Sequence, residues 1–311
     1  MDVERGPRGA KGGPGEGRAH RFGRLLEERC IILFDGAMGT ELLRRGFPQG
    51  KCPEEWNVSH PEEVAAIHRA YMVAGADVVE TNTFGGNRLK LAAYGLQDRV
   101  YELNYAGVKV AREAVGDGCL VAGSLGPTGE FLNPLGRLSE EEARAVFREQ
   151  VEAFYEAGAD LIVIETMFDL AEAKAALLAA REAGDLPVVC HMTFGAEGRT
   201  LMGTDPETAA KALEESGASA VGANCSTGPR EMVDVVARMA RVARVPVIAQ
   251  PNAGVPSLVE GHMVYPETPE TMATYIPKFV EAGVRLLGGC CGTTPEHIRA
   301  IRETLESMGI L

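Results

Sequence analysis

Ala74-Gly75-Ala76-Asp77 and Ala157-Gly158-Ala159-Asp160 are near copies of one phrase, and Ser216-Gly217-Ala218-Ser219 and Ala282-Gly283-Val284 echo it. Each glycine falls where an Ala/Glu/Leu-rich stretch with helical spacing gives out and a β-branched or apolar run begins. A residue free to adopt a left-handed backbone ends a helix at such a point. Working outward, the apolar runs lie at Ile31–Phe34, Asp77–Thr81, Cys119–Gly123, Leu161–Ile164, Pro187–His191, Ser219–Gly222, Val245–Ala249 and Val284–Leu287. Eight helical segments lie between and after them, among them Pro61–Ala74, Ser139–Ala157 and Pro295–Ser307. Ser139 with Glu142 makes a capping box, and Pro61, Pro206 and Pro295 suit a first helical turn. Eight strand–helix units predict an α/β fold, a single-domain (β/α)8 TIM barrel. A doubly wound sheet is the competing arrangement, but no G-x-G-x-x-G follows the first strand.

The chain has 311 residues, which suits one such barrel together with an N-terminal arm, since barrels run to about 250 residues. From Gly6 to Gly17 the residues are almost all Gly, Pro, Lys, Arg and Glu. Residues 1–22 are therefore expected to be a disordered arm and 23–311 the barrel. With 31 Lys+Arg against 44 Asp+Glu the net charge is −13, which argues against a nucleic-acid partner. No apolar run approaches the roughly 18 residues of a membrane span. Seven cysteines, two of them adjacent, fit a reducing, cytoplasmic setting better than a secreted disulfide framework.

Barrel chemistry sits where strands end. Those ends read Asp35-Gly36, Glu80-Thr81-Asn82-Thr83, Ser124, Glu165-Thr166, His191-Met192-Thr193, Asn224-Cys225, Gln250-Pro251-Asn252 and Cys290-Cys291. Three of these residues are cysteines, on the sixth and eighth strands, and Gly288, Gly289 and Gly292 give the adjacent pair freedom to turn both sulfurs toward one point. Three thiolates without a fourth protein ligand match a catalytic site for zinc or another soft metal, with one position left open. Such an electron-rich site is a poor hydrolytic Lewis acid, but it can hold an incoming thiol as a thiolate for transfer of a soft electrophile such as methyl. From spacing alone a second reading stands beside it: buried cysteines that merely pack, or a strained vicinal disulfide.

The segments Asp35–Leu42, Glu80–Gly85, Gly123–Pro127, Gly222–Cys225 and Gly288–Thr293 resemble the homocysteine S-methyltransferase family over nearly the whole chain from Ile31 to Arg302. Within the family, Glu80–Leu96, Pro251–Pro256 and Gly288–His297 are most similar to the homocysteine-binding module of cobalamin-dependent methionine synthase. The resemblance implies zinc on Cys225, Cys290 and Cys291, with homocysteine sulfur in the fourth position and Asn252 there when substrate is absent. It also implies that Asp35 and Glu165 hold the substrate ammonium group and that the backbone around Gly36 holds the carboxylate; as another acid at a strand end, Glu80 competes with Glu165 for the ammonium. The expected reaction converts homocysteine to methionine. The methyl group would come from a methylcobalamin-carrying (corrinoid-binding) protein or from a small donor. A protein that holds zinc or homocysteine without turnover is the alternative.

His191 is expected to hydrogen-bond near the site rather than to ligate metal. Cys119 and Cys190 should pack, Cys30 and Cys52 are lone thiols, and His68 and His297 read as surface or packing residues. Phe131–Arg137 is either a lid or an ordinary loop. A Schiff-base aldolase needs a lysine at a strand end, which is lacking, and no D-x-H-x-x-G corrinoid motif is present. The chain thus reads as the homocysteine module without folate or corrinoid modules.

Overall fold

A computed structural model describes residues 16–259 and 262–311. Eight parallel strands form the central sheet: β1 (Ile32–Leu33), β2 (Val78–Glu80), β3 (Leu120–Leu125), β4 (Leu161–Met167), β5 (Val188–Met192), β6 (Ala220–Asn224), β7 (Val247–Gln250) and, after a hairpin of β8 (Ser257–Val259) and β9 (His262–Val264), β10 (Val284–Leu287). The order β1-β10-β7-β6-β5-β4-β3-β2 closes on itself where Phe34 bridges Val78. Amide bonds from Asp35 to the Val78 carbonyl (3.0 Å) and from Asp77 to that of Leu33 (2.7 Å) complete the seam. The barrel is the one the repeated phrase predicts, and Gly75 and Gly158 end their helices at φ 101° and 94°.

Strand parity sorts the side chains into two cores. Ile32, Val78, Ala122, Val163, Val189, Ala220, Ile248 and Leu286 fill the barrel interior. Their strand neighbours, such as Leu33, Val79, Val121, Ile162 and Cys190, face the surrounding helices. Continuing the inward parity by one step brings Glu80, Ser124, His191 and Gln250, and by two steps from Ala220 brings Asn224, to the upper lumen, where the site lies.

The helix Glu16–Glu28 begins inside the stretch expected to be an unstructured arm. Phe22 is buried in the interior core with Leu25 and Leu26 beside it, so this helix plugs the barrel's lower end. Its apolar face repays the entropy of ordering that segment. Residues 1–15 of the expected arm lie outside the described residues. The β8–β9 hairpin is a second feature that the alternation of elements did not announce.

Gly222 shows how tightly the strands pack. A Cβ there would lie 2.0 Å from the Ile248 carbonyl oxygen on β7 and 2.4 Å from Ile248 Cγ2. Because the clash is with sheet backbone, Gly222→Ala should cost about 3 kcal/mol, the upper end of overpacking effects. Urea denaturation checks this; a midpoint equal to the parent's would contradict it.

Candidate metal and substrate site

Cys225 directly follows β6 in a left-handed turn, φ 59°, continued by Ser226 at φ 57°. Non-glycine residues pay about 1–3 kcal/mol for such a conformation, and that strain tends to concentrate at functional sites. Its amide donates to the Gln250 carbonyl (3.2 Å), and the Thr227 amide donates back to its carbonyl (2.6 Å). Cys290 and Cys291 follow β10. Gly292 after them has φ +83°, and a Cβ on it would strike the Tyr265 ring at 2.2 Å. The loops after β7 and β10 are laced together by Cys290 N–H to the Pro251 carbonyl (2.8 Å) and Ala253 N–H to the Cys291 carbonyl (2.9 Å).

This framework brings three sulfurs from two strand ends within 4.8 Å of one another. The Sγ atoms of Cys225 and Cys291 are 3.9 Å apart. Tetrahedral zinc, with Zn–S of about 2.3 Å, requires sulfurs roughly 3.8 Å apart, so the spacing fits. Asn252, only 3% exposed, reaches the Cys225 sulfur with its side chain and has a buried Oδ1 with no protein partner. An orphaned oxygen on a side chain that touches one of the three thiols fits an additional hard donor to the same ion. All seven cysteines are free thiols. Cys225 is the first of the three to ionise, because the Cys290 and Cys291 thiols donate to its sulfur and pull its pKa well down.

Beside the sulfurs opens a cavity of about 400 Å³, lined among others by Gly36, Thr40, Glu80, Phe84 and Glu165. Glu165 Oε1 accepts from the Ser124 hydroxyl (2.5 Å) and Oε2 from Asn224 Nδ2 (3.0 Å). Asn224 is the hub of the floor. Its Nδ2 also donates to Thr166 Oγ1 (2.9 Å) and approaches Cys290 Sγ (3.8 Å), while its Oδ1 accepts from the Thr166 amide (2.8 Å). Burial raises the Glu165 carboxyl to about 7, against the opposing pull of the Ser124 hydroxyl. Glu80 is raised well above the usual carboxylate range, first by burial and then by the charge of Glu165.

The expected site residues fall into place unevenly. Cys225, Cys290, Cys291, Gly36 and Glu165 meet at the cavity, and Asn252 touches Cys225 from outside the lining. Asp35 does not line the cavity. It is 2% exposed, and its Oδ2 accepts from the Glu80 amide (3.0 Å), so its carboxylate is turned to the β1–β2 seam. Glu80 occupies the lining instead. His191 is buried, neither ring nitrogen has a hydrogen-bond partner among the described residues, and burial lowers its pKa to about 3. The hydrogen-bonding role expected for it is thus not made in this structure. Cys119 and Cys190 are buried in the helix-facing core, Cys30 is exposed, and Cys52 donates to Glu54 Oε2 (3.1 Å). His68 is fully buried, and His297 lies between Thr294 Oγ1 (3.0 Å) and the Glu267 carbonyl (3.0 Å). The Phe131–Arg137 loop is not part of the lining. Sequence reasoning missed the roles of Asn224 and Gln250, although inward strand parity marks both. It missed Tyr265, in contact with Cys291, for which no sequence signal exists.

The family model for homocysteine S-methyltransferase matches residues 32–305. Methionine synthase from Mycobacterium tuberculosis is 38% identical over 304 residues, covering 91% of this chain and 25% of that protein. The Mycobacterium leprae methionine synthase is 38% identical over 291 residues, covering 87% and 24%. The chain therefore spans about a quarter of the length of the curated relatives it matches. Among solved structures, the metallated form of the homocysteine methyltransferase MmuM from Escherichia coli superposes with a TM-score of 0.77 at 27% identity, covering 90% of this chain and 98% of that one. The chain belongs to the homocysteine S-methyltransferase family and folds as a (β/α)8 barrel.

Proposed function

We propose that this chain is a zinc-dependent homocysteine S-methyltransferase, its metal held by Cys225, Cys290 and Cys291 with Asn252 as a further donor when substrate is absent. The observation that carries this reading is the meeting of three sulfurs from two strand ends at the edge of the carboxylate-lined cavity. Bound zinc lowers the pKa of a coordinated thiol, which makes a nucleophile available near neutral pH.

The chain's own residues do the rest. Ser124 and Asn224 fix the Glu165 carboxylate in the cavity, where it meets the substrate ammonium. An ammonium beside it favours the ionised form and reverses the effect of burial. Asp35, expected to share that contact, acts from behind the Glu80 backbone. The backbone at Gly36 faces the carboxylate end. Reaction forms the S–CH3 bond as the methyl–donor bond breaks, the electron pair leaving with the donor.

The donor we propose is a methylated corrinoid carried by a separate protein or module. The likeness to methionine synthases supports this, and so does the apolar character of the open face. Phe84, Phe131, Leu135 and Leu201, all exposed, stand on loops after β2, β3 and β5, and exposed Leu258 stands on the β8–β9 hairpin after β7. A small donor needs the cavity alone, whereas a protein donor needs a surface of this kind. No helix among the described residues is long and apolar enough to cross a membrane.

Titration calorimetry of L-homocysteine into zinc-loaded protein, in buffers of different ionisation heat, tests the reading. One-to-one binding with proton release that disappears on zinc removal is expected. Binding that persists without zinc would overturn it. In the same assay Glu165→Gln should weaken homocysteine by about tenfold or more, the worth of a charged hydrogen bond, with zinc content unchanged. Equal loss of zinc would place Glu165 in the support of the metal instead.

A further inference from the structure

We infer that Glu80, oriented by Gln250, makes this site select thiols that carry an α-ammonium group over plain thiols. This rests on the cavity being a homocysteine site, and it adds a specificity residue to that site.

Glu80 ends β2 with inward parity, one step above the interior residue Val78. Its Oε1 accepts from Gln250 Nε2 at 2.8 Å. Gln250 ends β7, and β10 and β1 stand between β7 and β2 in the sheet, so this bond crosses the lumen rather than joining neighbours. Both residues line the cavity. Gln250 is 3% exposed, and its Oε1 has no hydrogen-bond partner. A buried amide oxygen at a cavity wall is an acceptor awaiting a donor.

Charge points the same way. Glu80 and Glu165 contact each other. No lysine, arginine or histidine among the described residues forms an ion pair with either. Lys90, the cation that bears on Glu165, has its ammonium over the Phe84 ring at 4.4 Å. Two buried carboxyls without a counter-ion cannot both stay ionised, and a bound cation relieves them. An ammonium group brings three N–H donors, and the wall supplies three acceptors: Glu165, Glu80 and Gln250 Oε1. Asp35 also has an unpartnered Oδ1, but it stands outside the lining. A thiol lacking the amine leaves Gln250 Oε1 without a donor and the two carboxyls without a cation, which is why such sites reject it.

The test is calorimetric binding of L-homocysteine and of 4-mercaptobutanoate, the same chain without its amine, to zinc-loaded protein. The parent should prefer homocysteine by about 100-fold or more, and Glu80→Gln should cut homocysteine binding about 10- to 100-fold while leaving mercaptobutanoate within about threefold. Metal content should not change. Gln250→Leu should move the ratio in the same direction by less, and it decides the matter should Glu80→Gln fail to fold. A preference unchanged in both variants, or both thiols weakened equally, overturns the inference while leaving the homocysteine reading intact. A parent that binds neither thiol overturns that reading, and this inference with it.

Discussion

Cys290→Ala should lose tight zinc binding and homocysteine turnover while the barrel stays folded. Structural zinc sites are worth about 10–16 kcal/mol shared over their ligands, so removing one of three thiolates should weaken the metal by about 100-fold or more. The barrel should not notice. None of the three cysteines belongs to a hydrophobic core cluster, and the Cys290 amide keeps its bond to the Pro251 carbonyl in an alanine variant. The checks are metal analysis after dialysis, a turnover assay and a thermal melt. Cys190→Ala is the control. Cys190 is buried against the helices, so it should cost stability and leave zinc in place. Normal turnover in Cys290→Ala would remove the metal from the mechanism. Loss of fold together with zinc would make the site structural.

How much of this was legible in the sequence depends on which interactions are local. The barrel was readable because its signals repeat along the chain: helix-ending glycines, apolar runs and capping residues each act within a few residues. The sulfurs were readable because strand ends of a barrel converge, so Cys225 and the Cys290–Cys291 pair needed no distance information. The carboxyls were harder. Glu80 ends β2 at an inward position, whereas Asp35 shares the parity of helix-facing Leu33, and sequence cannot tell that the Glu80 amide engages Asp35 Oδ2. The bond from Gln250 to Glu80 joins residues far apart in the chain, and only the closed ring brings them together. The helix at Glu16–Glu28 was missed for a different reason. Its neighbours in sequence are Gly-rich and charged, and its stability comes from Phe22 entering the barrel floor rather than from its own composition.

The repeated phrase that revealed the fold also fixes its seams. Asp77 Oδ2 accepts from the Leu33 amide on β1 (2.9 Å), Asp160 Oδ2 from the Val121 amide on β3 (2.8 Å), and Ser219 Oγ from the Val188 amide on β5 (3.2 Å). In each case the polar residue just before a strand also donates its own amide to that same residue's carbonyl. The second, fourth and sixth strands are thus each pinned to the strand before them at the barrel's lower end, opposite the site. Asp160 is the most committed of the three. It is fully buried and also takes Arg21 (3.2 Å) and Arg112. Asp160→Ala strips a buried amide and two guanidinium groups of their acceptor. Breaking a buried pair from one side costs about 3–5 kcal/mol. For a domain of this size that is a fall in melting temperature of about 6–15 °C. Asp77→Ala should cost less, because its ion pair with Arg29 is longer, 3.8 Å, and more exposed. Differential scanning calorimetry ranks the two. Below the transition, Asp160→Ala should keep the parent's zinc content and homocysteine affinity, since the lower end of the barrel bears only on stability. A variant that melts normally would mean that water replaces the carboxylate. One that melts early and also loses homocysteine would mean that the two ends of the barrel are coupled.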